Sequence, residues 1–366
     1  MTAKWVVAVA ALTLAACGNG GNQAGTGGAG AQASAAGATS SGGGADLTGA
    51  GSTFAYPLYQ KWFYDYAQKT GVKINYQPIG SGGGIRQLQD QTVDFGASDA
   101  PMTDQQLAQA KGGPIIQLPS SLAAVAISYN LPGAPDNLKL SGPVVAGIYL
   151  GTITKWNDQK IAALNPGVTL PASDVLVTHR SEGSGTTYIF TDFLSGVSPQ
   201  WKASPGKGTD IKWPVGLGGK GSAGVAGLIQ QNPGSIGYIE LAYALQNKLP
   251  VALVQNPAGK FLPPSLDGAT AAAAAVAKTL PASTDFRISI VNAPAPDAYP
   301  ISSFTWLLIY QNQTDAAKGK KLVDFVNWGL NNGQADGKAL DYAPLPPNMV
   351  QLETERLKTV KLPGTA

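Results

Sequence analysis

Apolar and polar positions alternate along the body of the chain in a repeating strand–turn–helix rhythm. Residues 45–51 read as a short strand running into a Gly-rich turn. Tyr59, Trp62, Phe63 and Tyr66 then recur at i, i+3, i+4 and i+7, the spacing of a helix with one buried face, which Gly71 ends. A strand over 72–76, a turn at 79–84, a helix through Arg86, Leu88 and Gln91, and a strand over 93–98 ending at Asp99 follow. This order predicts an α/β sheet with crossover helices. Further strands are expected at 122–129, 175–179 and 300–310. Helices are expected in two stretches of 144–166 broken by Gly151, and at 186–194, 223–231, 269–278 and around Leu322, Phe325, Val326 and Trp328. No internal repeat is visible.

The first 45 residues break this rhythm. Lys4 and the short apolar stretch 5–14 read as an export signal too short to remain as a membrane-spanning helix. It ends in Leu14-Ala15-Ala16-Cys17, which resembles the lipobox of bacterial lipoproteins; an ordinary cleaved signal with an incidental cysteine is the alternative. Cys17 is the one cysteine of the chain, so no intramolecular disulfide is expected, and diacylation would give that thiol a role. Residues 18–45 are almost all Gly, Ala, Ser, Thr, Asn and Gln, too poor in apolar surface to offset the entropy of ordering, and read as a flexible tether. At 366 residues the chain suits two domains of ordinary size. A net charge of +3 with no dense Lys/Arg stripe excludes a nucleic-acid-binding surface of the usual kind.

Three turns share one design, in which a strand ends, small residues and a hydroxyl follow, and a helix begins: Gly51-Ser52-Thr53-Phe54, Gly80-Ser81-Gly82-Gly83 and Gly183-Ser184-Gly185-Thr186. Helix starts expose unpaired N–H groups and partial positive charge, which small residues let an anion approach. One such turn is usually just a capped helix; three in one chain suggest several helix starts converging on one anion. Arg180, at a strand end, offers a planar fork for an oxyanion or serves as an ordinary packing residue. Asp99 would repel an anion unless the ligand carries a proton for it to accept; otherwise it is a turn or cap residue before a helix near Asp104.

Enzyme chemistry finds little support. There is no G-x-S-x-G elbow, and His179 is the sole histidine. With one His and one Cys, a transition-metal site would have to be nearly all carboxylate, and no such cluster stands out. Residues 216–221 satisfy G-x-G-x-x-G, with Glu240 where a ribose acid could sit, but they come late in the chain and read better as a loop and helix start.

LTGAGSTF (47–54), YQPIGSGGGIRQL (76–88), VDFGASDAPMTD (93–104), RSEGSGTTYIFTDFL (180–194), KWPVGLGGKG (212–221), SIGYIE (235–240) and ALDYAPLP (339–346) together resemble the phosphate-binding component of the bacterial Pst importer. The resemblance runs in order from about residue 46 almost to the C-terminus. It implies a two-lobed α/β Venus-flytrap fold of the type II periplasmic-binding-protein class, with a mainly parallel sheet in each lobe and two crossover strands. Lobe I would be 46–120 plus 301–366 and lobe II 121–300. It implies no enzyme activity and no cofactor or metal. Inorganic phosphate would be held by Thr53, Phe54 (through its backbone), Ser81, Asp99, Arg180, Ser184, Gly185 and Thr186. Glu182, where the family usually has Asp, would support Arg180, and Gly82 and Gly83 stand where relatives often carry Ser and Gly. Partners would be an ABC permease with its ATPase, and the membrane through a lipid on Cys17, the protein working as an extracytoplasmic monomer. Phosphate keeps an O–H near neutral pH and sulfate does not, so Asp99 would reject sulfate. A secreted phosphatase, or a receptor for arsenate or sulfate, is the competing expectation.

Overall fold

The computed structural model describes residues 46–278, 280–281 and 283–364. The leader, Cys17 and the tether expected over 18–45 lie outside the described residues.

Eleven strands appear among the described residues: β1 Leu47–Gly51, β2 Ile74–Gln77, β3 Phe95–Ser98, β4 Ile115–Asn130, β5 Lys139–Leu140, β6 Leu176–Arg180, β7 Leu217–Gly219, β8 Ser235–Glu240, β9 Leu253–Gln255, β10 Phe261–Leu262 and β11 Ser302–Tyr310. Eight of them form one curled sheet in the order β2-β1-β3-β11-β4-β8-β6-β7, and a small sheet runs β10-β9-β5. In the large sheet β1 pairs parallel with β2 and β3, and β6 pairs parallel with β7 and β8. The antiparallel pairings are confined to the middle, where β11 meets β3 and β4, and β4 meets β8.

β4 joins the two halves. Its first part pairs with β11 as far as Ala124↔Ser302, and from Val125↔Glu240 onward it pairs with β8. Val125 N–H donates to the Ile301 carbonyl at 2.8 Å, so both connections cross at the same level. The strand is almost wholly buried, although Gln117, Pro119, Ser120 and Ser121 interrupt its apolar pattern. Pro119 has no N–H, and the register with β11 shifts there, leaving Ser120 bulged between Pro119↔Trp306 and Ser121↔Thr305. That is why the expected strand at 122–129 begins seven residues earlier in the structure, at Ile115.

The aromatic stripe forms the buried face of helix Tyr56–Thr70, which starts with Pro57 in its first turn and stops at Gly71 in the left-handed conformation (φ 78°). Phe63 and Tyr66 pack on Phe325 at centroid distances of 5.6 and 5.3 Å, tying this helix to Ala316–Asn331. The other expected helices form as Ser81–Gln89, Gly142–Tyr149, Gln159–Leu164, Gly185–Val197, Gly221–Gln231 and Leu266–Ala277. Gly151, with φ 72°, separates the two that were expected within 144–166. Helices Pro199–Ala203, Leu241–Gln246 and Pro347–Leu357 and the small sheet lack a periodic signal of useful length and were not anticipated. No helix among the described residues is long and apolar enough to cross a membrane.

Candidate anion-binding site

The C-terminal ends of β1, β3 and β6, and the turn after β2, face one another where the sheet halves meet, the usual place for a ligand in an open α/β sheet. β1 delivers Ser52, Thr53 and Phe54; the turn after β2 delivers Ser81; β3 delivers Asp99; β6 delivers Arg180 and the turn that holds Glu182 to Thr186. The turns touch directly: Gly82 N–H donates to the Gly183 carbonyl at 2.9 Å. Gly185 lies against Asp99 so closely that a Cβ there would sit 2.5 Å from Ser81 Oγ and 2.6 Å from Asp99 Cβ.

Asp99 is buried and accepts three hydroxyl protons. Ser52 and Thr305 donate to Oδ1 at 2.5 and 2.7 Å, and Ser81 donates to Oδ2 at 3.2 Å. Burial pushes its pKa above the ordinary aspartate value, against the pull of Ser52, Thr305, the Arg180 charge and Ser81. Thr103 is the cap of the following helix, in a capping box with Gln106, so Asp99 has no capping task.

Arg180 is also buried, and its fork is fully engaged. Nε donates to Glu182 Oε1 at 2.8 Å and Nη2 makes a second, shorter contact with the same oxygen. Nη1 donates to Thr186 Oγ1 at 3.1 Å and to Ser222 Oγ at 3.4 Å, while Nη2 donates to Thr53 Oγ1 at 3.0 Å. Glu182 further accepts Gly221 N–H at 3.1 Å, so the longer side chain pairs with Arg180 and also grips the start of helix Gly221–Gln231. Ser184 caps helix Gly185–Val197 by accepting Thr187 N–H at 3.1 Å, which leaves its own O–H to donate elsewhere.

Three tyrosines orient the β1 turn. Tyr76, Tyr243 and Tyr342 donate to the carbonyls of Ser52, Thr53 and Phe54 at 2.8, 3.0 and 2.5 Å. Burial raises all three phenol pKa values, so they remain donors, and three successive carbonyls are committed to them. Among the described residues the N–H groups of Phe54, Ser81, Gly185 and Thr186 find no protein acceptor. The site therefore combines buried N–H donors and one guanidinium with a carboxylate already held in place as an acceptor. That combination suits a small oxyanion carrying a proton.

The structure thus brings Thr53, Phe54, Ser81, Asp99, Arg180, Glu182, Ser184, Gly185 and Thr186 into one cluster. Ser81 differs in detail from expectation, because its hydroxyl proton is taken by Asp99 and its backbone N–H is the group left to donate. Ser52, Thr305, Ser222 and the three tyrosines escaped the sequence reading. Only Ser52, inside the first Gly-rich turn, and Ser222, at the helix start after Lys220-Gly221, had a local signal. Beside the cluster a cavity of about 670 Å³ opens between Thr53, Tyr56, Ile79, Lys220, Ser222 and Tyr243.

The remaining candidates have structural tasks. His179 stacks on Trp213 at 4.7 Å, and its Nδ1 lies 2.9 Å from the Arg180 carbonyl, which can only accept. Glu240 is buried and accepts Ala242 N–H as a helix cap, while residues 217–219 form edge strand β7, so the G-x-G-x-x-G match builds no nucleotide site. No group of three or more His, Cys, Asp or Glu among the described residues is placed to hold a metal ion.

A two-lobed α/β body with a site of this kind between its halves defines a solute-binding protein, and the family model described as a PBP superfamily domain matches residues 31–328. The phosphate-binding protein PstS of Xylella fastidiosa (strain 9a5c) is 46% identical over 301 residues, covering 82% of this chain and 81% of that protein. The phosphate-binding protein PstS of Pasteurella multocida (strain Pm70) is 42% identical over 309 residues, covering 84% and 88%. A solved phosphate-binding protein from Stenotrophomonas maltophilia has the same fold, with a TM-score of 0.66 at 20% identity over 85% of this chain and 93% of that one. The chain belongs to the PstS family of phosphate-binding proteins.

Proposed function

We propose that this protein binds inorganic phosphate outside the cytoplasm and delivers it to an ABC-type phosphate importer, without chemistry of its own. The observation that carries the reading is the pairing, in one buried cluster, of Arg180 and free N–H donors with Asp99 held as an acceptor. Sequence kinship to proteins named for phosphate binding supports the ligand. In this reading Phe54, Ser81, Gly185 and Thr186 donate through backbone N–H groups. Thr53, Ser184 and Thr186 donate through hydroxyls, Arg180 supplies charge, and Asp99 accepts the phosphate O–H. Glu182 holds the guanidinium.

Residues 46–120 with 301–366 act as lobe I and 121–300 as lobe II, and the ligand favours the closed arrangement because it contacts both. The importer then reads the closed shape. The leader is removed, Cys17 carries the lipid that holds a monomer at the membrane, and residues 18–45 give it reach. Isothermal titration with phosphate, sulfate and arsenate tests the reading: phosphate binds one to one, arsenate competes, and sulfate gives no heat. Equal binding of sulfate, or hydrolysis of a phosphate ester by the same sample, overturns it.

A further inference from the structure

Counting lone pairs and protons around Thr53 leads to a residue outside the set expected from the family. A hydroxyl oxygen accepts at most two hydrogen bonds and donates one. Thr53 Oγ1 accepts from Arg180 Nη2 at 3.0 Å and from Ser222 N–H at 3.4 Å, so both its acceptor positions are used. In the 3.3 Å contact between Thr53 Oγ1 and Ser222 Oγ, Ser222 therefore cannot be the donor. Ser222 Oγ itself accepts from Arg180 Nη1 at 3.4 Å. Whether Thr53 turns its proton toward Ser222 or toward a ligand, the Ser222 O–H has no acceptor within the protein among the described residues.

That hydroxyl belongs to a buried side chain and sits where the anion cluster meets the 670 Å³ cavity. An unpaired buried donor is costly unless something accepts from it. We infer that Ser222 is a further phosphate-binding residue, donating its O–H to a phosphate oxygen on the cleft-mouth side and coupling lobe closure, through Thr53, to occupancy. This rests on the phosphate reading of the site. It extends that reading to a fourth helix start, that of Gly221–Gln231, whose own first N–H is already bound by Glu182.

Isothermal titration of the full chain with inorganic phosphate, beside a thermal melt, tests it. Ser222→Ala weakens phosphate binding about 10-fold with little change in Tm, as loss of a donor to a charged acceptor predicts. Ser222→Thr, which keeps the hydroxyl, stays within about threefold of the parent. In combination with Thr53→Val the loss is smaller than the product of the two single losses, because both hydroxyls share Arg180. If Ser222→Ala does not fold, Ser222→Cys replaces it, a similar shape with a much weaker donor. Unchanged affinity in a folded Ala or Cys variant overturns the assignment to Ser222 while leaving the phosphate reading intact. Failure of the parent protein to bind phosphate overturns the reading of the whole site.

Discussion

Replacing Asp99 by asparagine removes the acceptor on which the proposed anion selectivity rests and leaves the shape almost unchanged. The amide carbonyl can keep the Oδ1 position, with the Ser52 and Thr305 bonds at 2.5 and 2.7 Å. The NH₂ then takes the Oδ2 position, where Ser81 Oγ, 3.2 Å away, turns from donor to acceptor. Phosphate loses a hydrogen bond to a charged acceptor, worth about 1.5–3 kcal/mol, so its affinity falls roughly 10- to 100-fold. Sulfate gains, because a buried carboxylate facing one of its lone pairs is replaced by a donor. Removing that repulsion is worth about 3–5 kcal/mol, or roughly two to nearly four powers of ten in sulfate affinity. Calorimetric titration of parent and variant with both anions reads the change, and a thermal melt checks that the variant is folded. A folded Asp99→Asn that still gives no heat with sulfate would refute the argument, and selectivity would then reside in the geometry of the N–H donors.

Gly185→Ala places a Cβ 2.5 Å from Ser81 Oγ and 2.6 Å from Asp99 Cβ, so the turns can no longer close on each other. Phosphate affinity should fall on the order of 100-fold through a smaller closed population, with Tm little altered; unchanged affinity in titration would show that closure does not depend on this contact. Glu353 on helix Pro347–Leu357 is fully buried, and neither carboxyl oxygen has a hydrogen-bond partner. Burial raises its pKa well above the usual glutamate value. The folded state therefore binds this proton more tightly than the unfolded chain, and the stability that results is complete below about pH 4.3 and falls as pH rises toward the folded-state value. Glu353→Gln should raise stability by about 1–3 kcal/mol at pH 7 and change it little near pH 4, measured by denaturant titration at both pH values. A variant less stable at pH 7 would point to an acceptor role for this carboxylate.

Elements with one buried face were legible before the structure. The Tyr59, Trp62, Phe63 and Tyr66 stripe and the Gly-rich turns report local one-sided burial and local backbone demands, which a few neighbouring residues encode. Strand β4 was only half visible: it is buried on both faces along its length, so it shows no alternation, and only its second part carries an unbroken apolar run, Gln117, Pro119, Ser120 and Ser121 interrupting the first. At the site, Arg180 and Asp99 stood out as residue types, yet each allowed a packing or capping role as readily as a ligand role. Contacts spanning 127 residues from Thr53 to Arg180, and 206 from Asp99 to Thr305, bring both into the one buried cluster on which the proposed ligand role rests. Thr305, Tyr76, Tyr243 and Tyr342 carry no local signature of a site role, and Ser52 only its place in the first Gly-rich turn, since which proton a hydroxyl gives and to whom depends on partners brought together only by the sheet. Residue chemistry along the chain set which donors and acceptors exist, and folding decided how they pair, because a hydrogen bond's direction is a property of the assembled neighbourhood.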